Sequence, residues 1–323
     1  MNNKIMITLM LILTSFLLIS SVSADFNFKG AGDSDSGTVR IGYIPTDHEA
    51  ALFIAEANGL YENKKIKTVL VKYNNGVELM EGMSKGEIDV GYVGIAPVLS
   101  SMSNGEKVKI ISSVQEEGSG IIVSSESNIK NASDLEGKKI ATLGEGSIQN
   151  VLLSYYLHEN GISQSDVTIE NMKATKMYDS LKNGEVDAIV TYQPYLTMAE
   201  KEGHNILAKS SDLLPNHPCC VIVATDDFTK NHAEEAKAIL DIHKEATDFI
   251  NENLKGNEDK IVEKLPSDIV IDEKLEADSL KSFPFTSGLS SNFKKDVETF
   301  EEFESSMKII KGDIPQNELF WEP

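Results

Sequence analysis

The chain has 323 residues, 41% of them hydrophobic and 25% charged, with a formal net charge of −21. That length suffices for two lobes of ordinary domain size, and the composition is that of a folding chain rather than a disordered one. The charge argues strongly against nucleic acid, whose phosphates attract clustered Lys and Arg, and against docking on an anionic membrane surface.

At the N-terminus, Lys4 precedes an apolar run, Ile5–Ile19, and then Ser20-Ser21-Val22-Ser23-Ala24. A basic residue, an apolar core and small residues read as a signal peptide over 1–24, cleaved after Ala24. The run is short for a span of roughly 20 residues; an uncleaved anchor is the competing reading. No cysteine follows the run to carry a lipid. Residues 25–37, rich in Gly, Ser and Asp, read as a flexible lead-in.

Strands and helices then alternate. Strands are expected at Thr38–Ile44, Lys67–Tyr73, Ile88–Val93 and Val108–Val114, with helices at Asp47–Asn58, Val77–Ser84 and Ile95–Met102. Such alternation is the βαβ signature of a mostly parallel sheet. Gly118–Ser125 reads as a strand leaving this first lobe. Lys139–Thr142, Val167–Asn171 and Val186–Val190 are strands of a second, with helices at Gln149–Asn160, Met177–Asn183 and Tyr195–Glu202. Val221–Ala224 is the return crossing, so the lobes are expected at 38–118 and 119–218. The remainder, 219–323, reads as that crossing followed by helices packing on the first lobe. Ile239, Ile242, Ala246, Phe249 and Ile250 repeat at helical spacing, as do Phe293, Val297, Phe300, Phe303 and Met307. His243, inside the first stripe, reads as a core residue.

The two lobes echo each other. Met80–Leu99 and Tyr178–Leu196 share a helix, a Gly-Glu turn, a strand headed by Asp and a loop with proline, matching Gly86 to Gly184 and Asp89 to Asp187. Two similar lobes imply a cleft, and in open α/β sheets ligands sit beyond the carboxyl ends of strands. Four such ends are legible: Tyr43–His48, Tyr92–Pro97, Leu143–Gln149 and Thr191–Tyr195. Each opens into a helix N-terminus, which favours anions. That suits a chain whose only arginine is Arg40.

Simpler roles compete at each position. Thr46 and Glu49 have capping-box spacing, and Asp47 then sits in a first turn. Ser147 is a candidate N-cap. Cys219 and Cys220 are the only cysteines. Adjacent Cα atoms lie ~3.8 Å apart, too close for an unstrained disulfide at ~4.4–6.8 Å. Neighbouring strand residues point to opposite faces, so the pair reads as small strand residues, at least one buried, without a metal site. No metal-ligand spacing, Walker sequence or catalytic Ser or Cys motif is present, and no cofactor is expected.

The segments IGYIPTDHEAALFIAEANGLYE (41–62), GEIDVGYVGIAPVL (86–99), NASDLEGKKIATLGEGS (131–147) and GEVDAIVTYQPY (184–195) resemble the solute-binding proteins of ABC importers for nitrate, aliphatic sulfonates, taurine, bicarbonate and thiamine precursors. The resemblance implies a two-lobed, type II periplasmic-binding-protein-like fold with the ligand between lobes. It implies ligand contacts at Tyr43, Thr46, Asp47 and His48; at Tyr92, Val93, Gly94 and Ile95; at Gly146, Ser147, Ile148 and Gln149; and at Thr191, Tyr192 and Gln193. It implies an exported, non-enzymatic protein that captures a small organic anion or zwitterion and hands it to a membrane permease with its ATPase. The protein is expected to be a monomer. Alternatives are an enzyme on the same frame, a pyrimidine-binding member and a module feeding a sensor kinase.

Overall fold

A computed structural model describes residues 37–323; the expected signal peptide and residues 25–36 of the lead-in lie outside the described residues. The first strands are β1 (Thr38–Tyr43), β2 (Lys67–Lys72), β3 (Val90–Gly94) and β4 (Val108–Glu116). A second group follows as β5 (Ser119–Val123), β6 (Lys139–Thr142), β7 (Thr168–Asn171), β8 (Ala188–Tyr192) and β9 (Asn205–Lys209). The chain then returns through β10 (Pro218–Thr225) and β11 (Phe285–Gly288). One sheet has the order β11-β4-β10-β3-β1-β2 and the other β7-β6-β8-β5-β9.

Each sheet has a parallel centre of three strands, β2-β1-β3 and β7-β6-β8. The other pairings, those of β10, β11 and β5, are antiparallel. The sheets are therefore mixed rather than mostly parallel. Parallel neighbours need a crossover helix between them, and the strands that carry the chain between lobes arrive without one.

Helices start where the sequence supplies caps. Asn75 Oδ1 accepts from Glu78 N at 2.9 Å and opens the helix Gly76–Ser84. Ser147 Oγ accepts from Asn150 N at 3.2 Å and opens Ile148–Glu159. Each such cap is worth ~1 kcal/mol. The Thr46–Glu49 capping box does not form. Glu49 Oε2 instead accepts from Ile44 N at 2.9 Å, and Asp47–Glu49 is a single 3-10 turn before the helix Ala50–Ala57.

The tail packs on the first sheet. In the helix Ala233–Asn253, Ile239, Ile242, Ala246 and Ile250 are fully buried in one core with β1, β3 and β10. Burial stabilises by ~1.5–3 kcal/mol per large aliphatic side chain. His243 is buried among them, its Nε2 2.9 Å from Ser113 O. The tail is not helical throughout. β11, bounded by Pro284 and Gly288, is too short for a helix and pairs with the edge of β4.

The two crossings run side by side. Glu117 (φ 62°) and Asn216 (φ 61°) are both left-handed. Glu117 N donates to His217 O at 3.2 Å, and Asn216 N donates to Glu117 Oε1 at 2.9 Å. Each left-handed residue costs ~1–2 kcal/mol, and the mutual hydrogen bonds hold both in place.

Candidate binding cleft

Where the carboxyl ends of the parallel strands face one another, a cavity of about 110 Å³ opens between the lobes. The first lobe contributes Thr46, His48, Glu49, Gly94 and Pro97, together with the turn Asn74–Val77 after β2. The second contributes Leu143, Glu145–Gln149 and Tyr192, and Cys219 and Cys220 come from the return crossing. Two helix N-termini meet here from opposite lobes, at Gly76–Val77 and at Ile148–Gln149. The first N–H groups of a helix have no partner within it, so both ends present free donors and positive dipole. Among the described residues, no Lys or Arg lines the cavity. Arg40 is used elsewhere: its guanidinium grips Asp89 and the carbonyl of Gly86.

His48 stands at the centre of the wall. It is buried, with ring contacts to Phe283 at 4.8 Å and Tyr192 at 5.5 Å, and its Nδ1 lies 3.5 Å from Cys219 Sγ. Burial opposes its charged form, but the Cys220 thiol and Asp47 outweigh that and hold its pKa above the usual histidine value. Glu49, which also borders the cavity, is pushed well above the usual carboxylate value, chiefly by burial and then by Cys220, against the hydrogen bond from Ile44 N.

Beside the cavity, a polar cluster ties the lobes and tail together. Asp47 Oδ2 accepts from Ser279 Oγ at 2.9 Å, and Gln193 Nε2 donates to Ser282 Oγ at 2.6 Å. Ser279 ends the helix Glu273–Ser279, whose Asp278 pairs with Lys201 of the second lobe at 2.6 Å. Both Glu276 carboxyl oxygens and Asp47 Oδ1 receive no N–H or hydroxyl donor. Burial, and then the neighbouring Asp47, push Glu276 up to about 9.

A model of the NMT1-like family matches residues 32–265. The chain belongs to that family. A member from Bacillus subtilis (strain 168), named for aliphatic sulfonate binding, is 29% identical over 272 residues, covering 81% of this chain and 80% of its own. A 4-amino-5-hydroxymethyl-2-methylpyrimidine phosphate synthase of Aspergillus parasiticus is 25% identical over 236 residues, 67% of each chain. Among solved structures, the alkanesulfonate-binding protein of Xanthomonas axonopodis pv. citri, bound to MOPS, superposes with a TM-score of 0.77 at 20% identity. That match covers 90% of this chain and 100% of the other, and it establishes the periplasmic-binding-protein fold.

Of the residues singled out from the sequence, Thr46, His48, Gly94, Gly146, Ser147, Ile148, Gln149 and Tyr192 border the cavity. Others lie apart from it. Tyr92, Val93 and Ile95 are buried in the first-lobe core, with the Tyr92 hydroxyl 3.5 Å from His243 Nδ1. Tyr43 packs edge-on against Phe53 at 5.5 Å. Thr191 is buried, while Asp47 and Gln193 belong to the polar cluster. Sequence reasoning missed the turn Asn74–Val77, which follows a strand end as plainly as the four that were read; the Asn75 N-cap was its signal. It also missed Glu49 and the cysteine pair. Cys219 and Cys220 do not point to opposite faces. From Pro218 to Cys220 the chain advances two residues while β4 advances one, from Glu116 to Gln115. Cys219 is thus the inserted residue of a β-bulge, and both thiols border the cavity, 3.9 Å apart.

Proposed function

We propose that this protein is an extracytoplasmic solute-binding protein of an ABC importer and not an enzyme. Its cleft captures a small organic anion or zwitterion, a sulfonate in the first instance, by closure of the lobes. The observation that carries the reading is the convergence of two helix N-termini from opposite lobes on one cavity that, among the described residues, no Lys or Arg lines. Backbone donors and dipoles then supply what a guanidinium supplies elsewhere, and they are in register only when both lobes contribute. The family, and a relative named for sulfonate binding, support it. The 38–118 and 119–218 halves act as the closing lobes, with the bonded crossings at Glu117 and Asn216 as the hinge. A membrane permease with its ATPase is the partner, and the protein works as an exported monomer.

A thermal-shift panel on the purified protein tests this. A ligand present at 100 times its dissociation constant stabilises by ~2.7 kcal/mol. Taurine or another alkanesulfonate should raise the melting midpoint, and turnover should be absent. If sulfonates, nitrate and bicarbonate all fail while hydroxymethylpyrimidines succeed, the anion reading is wrong. That second reading is favoured by the pyrimidine phosphate synthase relative and by a cavity whose lining includes Tyr192, Ile44 and Leu143.

A further inference from the structure

We propose that His48, Cys219 and Cys220 form a site for a thiophilic transition-metal ion of zinc's class, with one coordination position open to the cavity. The inference rests on reading that cavity as the solute site, and it gives the cavity a Lewis-acidic position.

The geometry is the argument. The three ligand atoms lie within 4.8 Å of one another, and all three residues are buried. Nδ1 of His48 is 3.5 Å from Cys219 Sγ, and the two sulfurs are 3.9 Å apart. A tetrahedral ion with bonds of ~2.3 Å to sulfur and ~2.0–2.1 Å to nitrogen requires edges of ~3.8 Å between sulfurs and ~3.5 Å from nitrogen to sulfur. Two of the three edges thus already have the required lengths, and the third, from Cys220 Sγ to the imidazole, lies within 4.8 Å.

Adjacent strand residues reach this arrangement only because Cys219 is the extra residue of the bulge in β10. Among the described residues both cysteines are free, and the hydrogen-bond contacts of their sulfurs are with each other and with His48. All three residues border the cavity, so the fourth position faces a bound solute rather than protein. Two thiolates and a neutral imidazole around a divalent ion give a site of net zero charge with a vacant position. Such an ion acts as a Lewis acid toward an anionic headgroup. It adds a direct partner for an anion to the backbone donors of the two helix ends. Binding releases the thiol protons to solvent, so affinity rises with pH.

The test is a cobalt(II) titration of the full chain, kept reduced with a phosphine and freed of metal. Expected are one equivalent bound, a thiolate-to-cobalt charge-transfer band, and binding weakened by about 100-fold or more in the Cys219→Ser/Cys220→Ser variant. Absence of the band, or unchanged binding in the variant, overturns the site. Should the variant not fold, X-ray absorption of the zinc-loaded wild-type chain decides. Two sulfur scatterers at ~2.3 Å support the site, and a shell of nitrogen and oxygen alone overturns it. The same protein is then screened with solutes, with and without chelator. A sulfonate shift that survives chelation in a chain that binds no cobalt refutes the metal and leaves the solute reading standing. Cobalt bound through sulfur with no solute shift supports the metal and refutes the solute reading alone.

Discussion

The two copies of the repeated unit differ in an instructive way. At the entry to the strand they are nearly identical. Asp89 Oδ2 accepts from Arg40 N and Asp187 Oδ2 accepts from Lys139 N, each at 2.9 Å. The same aspartates return their own N–H to those residues, at 2.9 and 2.8 Å. Gly86 (φ 71°) and Gly184 (φ 69°) make the same left-handed turn ahead of them. Each copy thus clamps the start of β1 or β6 to the strand beside it. At the exit the copies part. Five residues beyond the aspartate stands Gly94 in one and Tyr192 in the other, and both border the cavity. The first copy runs directly into the helix Ile95–Ser103. The second turns through Gln193, whose side chain also accepts from Thr197 N and reaches the tail at Ser282. The repeat preserves what folds a lobe and varies what borders the cavity.

Four experiments bear on that contrast. The largest effect is expected from making the exits alike. A Cβ at position 94 stands 3.1 Å from Ile148 Cδ1, a tight contact that the flexible side-chain end relieves by a small shift, and a ring there enters the cavity. Gly94→Tyr should therefore abolish the solute-induced shift of ~2.7 kcal/mol at 100-fold saturation while leaving the apo midpoint within a few degrees. An unchanged solute response would show that Gly94 does not border the working site.

Next come the entries. Removing a charge-assisted hydrogen bond costs ~1.5–3 kcal/mol. Asp89→Ala should lie at the upper end and Asp187→Ala at the lower, since only Asp89 also pairs with an arginine. Denaturant midpoints report the order, and equal losses would mean that the Arg40 pair adds nothing. The smallest effect belongs to Arg40→Lys. It keeps the charge and loses the fork, for about 1 kcal/mol or less at a half-exposed site.

Between these in size is a pH effect at the second-copy exit. Glu276 is raised far above its unfolded value near 4.3, so above that pH the folded chain keeps a proton that the unfolded chain gives up. The native state then binds more protons, and stability falls as pH rises through that window. Buried His217 and His243, both lowered to about 4, act oppositely: below ~6.5 the unfolded chain takes protons that the folded one refuses. Maximal stability should lie on the acid side of neutrality. Glu276→Gln keeps a donor toward Asp47 without an ionisable group. It should gain about 1–2 kcal/mol at pH 8 and flatten the alkaline slope in denaturant titrations across pH. A slope unchanged by the substitution would assign it to other buried acids such as Glu49 or Glu304, which are also raised by burial.

Taken alone, the sequence determined what depends on near neighbours. The alternation of strand and helix, the caps at Asn75 and Ser147, the left-handed glycines and the paired aspartates are set by bonds over a few residues or by a pattern met twice. The tail stripes were legible for the same reason, since helical periodicity is local. Tertiary structure decided the rest. Tyr92 reads like a cleft aromatic, yet it is core because the tail helix brings His243 against it. Asp47 reads as a first-turn acid, yet its partner Ser279 comes from 232 residues away. The cysteines read as back-to-back strand residues until a bulge, defined only by the register against β4, turns both toward His48. Spacing within a segment cannot encode such meetings, because they depend on which distant surfaces the folded core presses together.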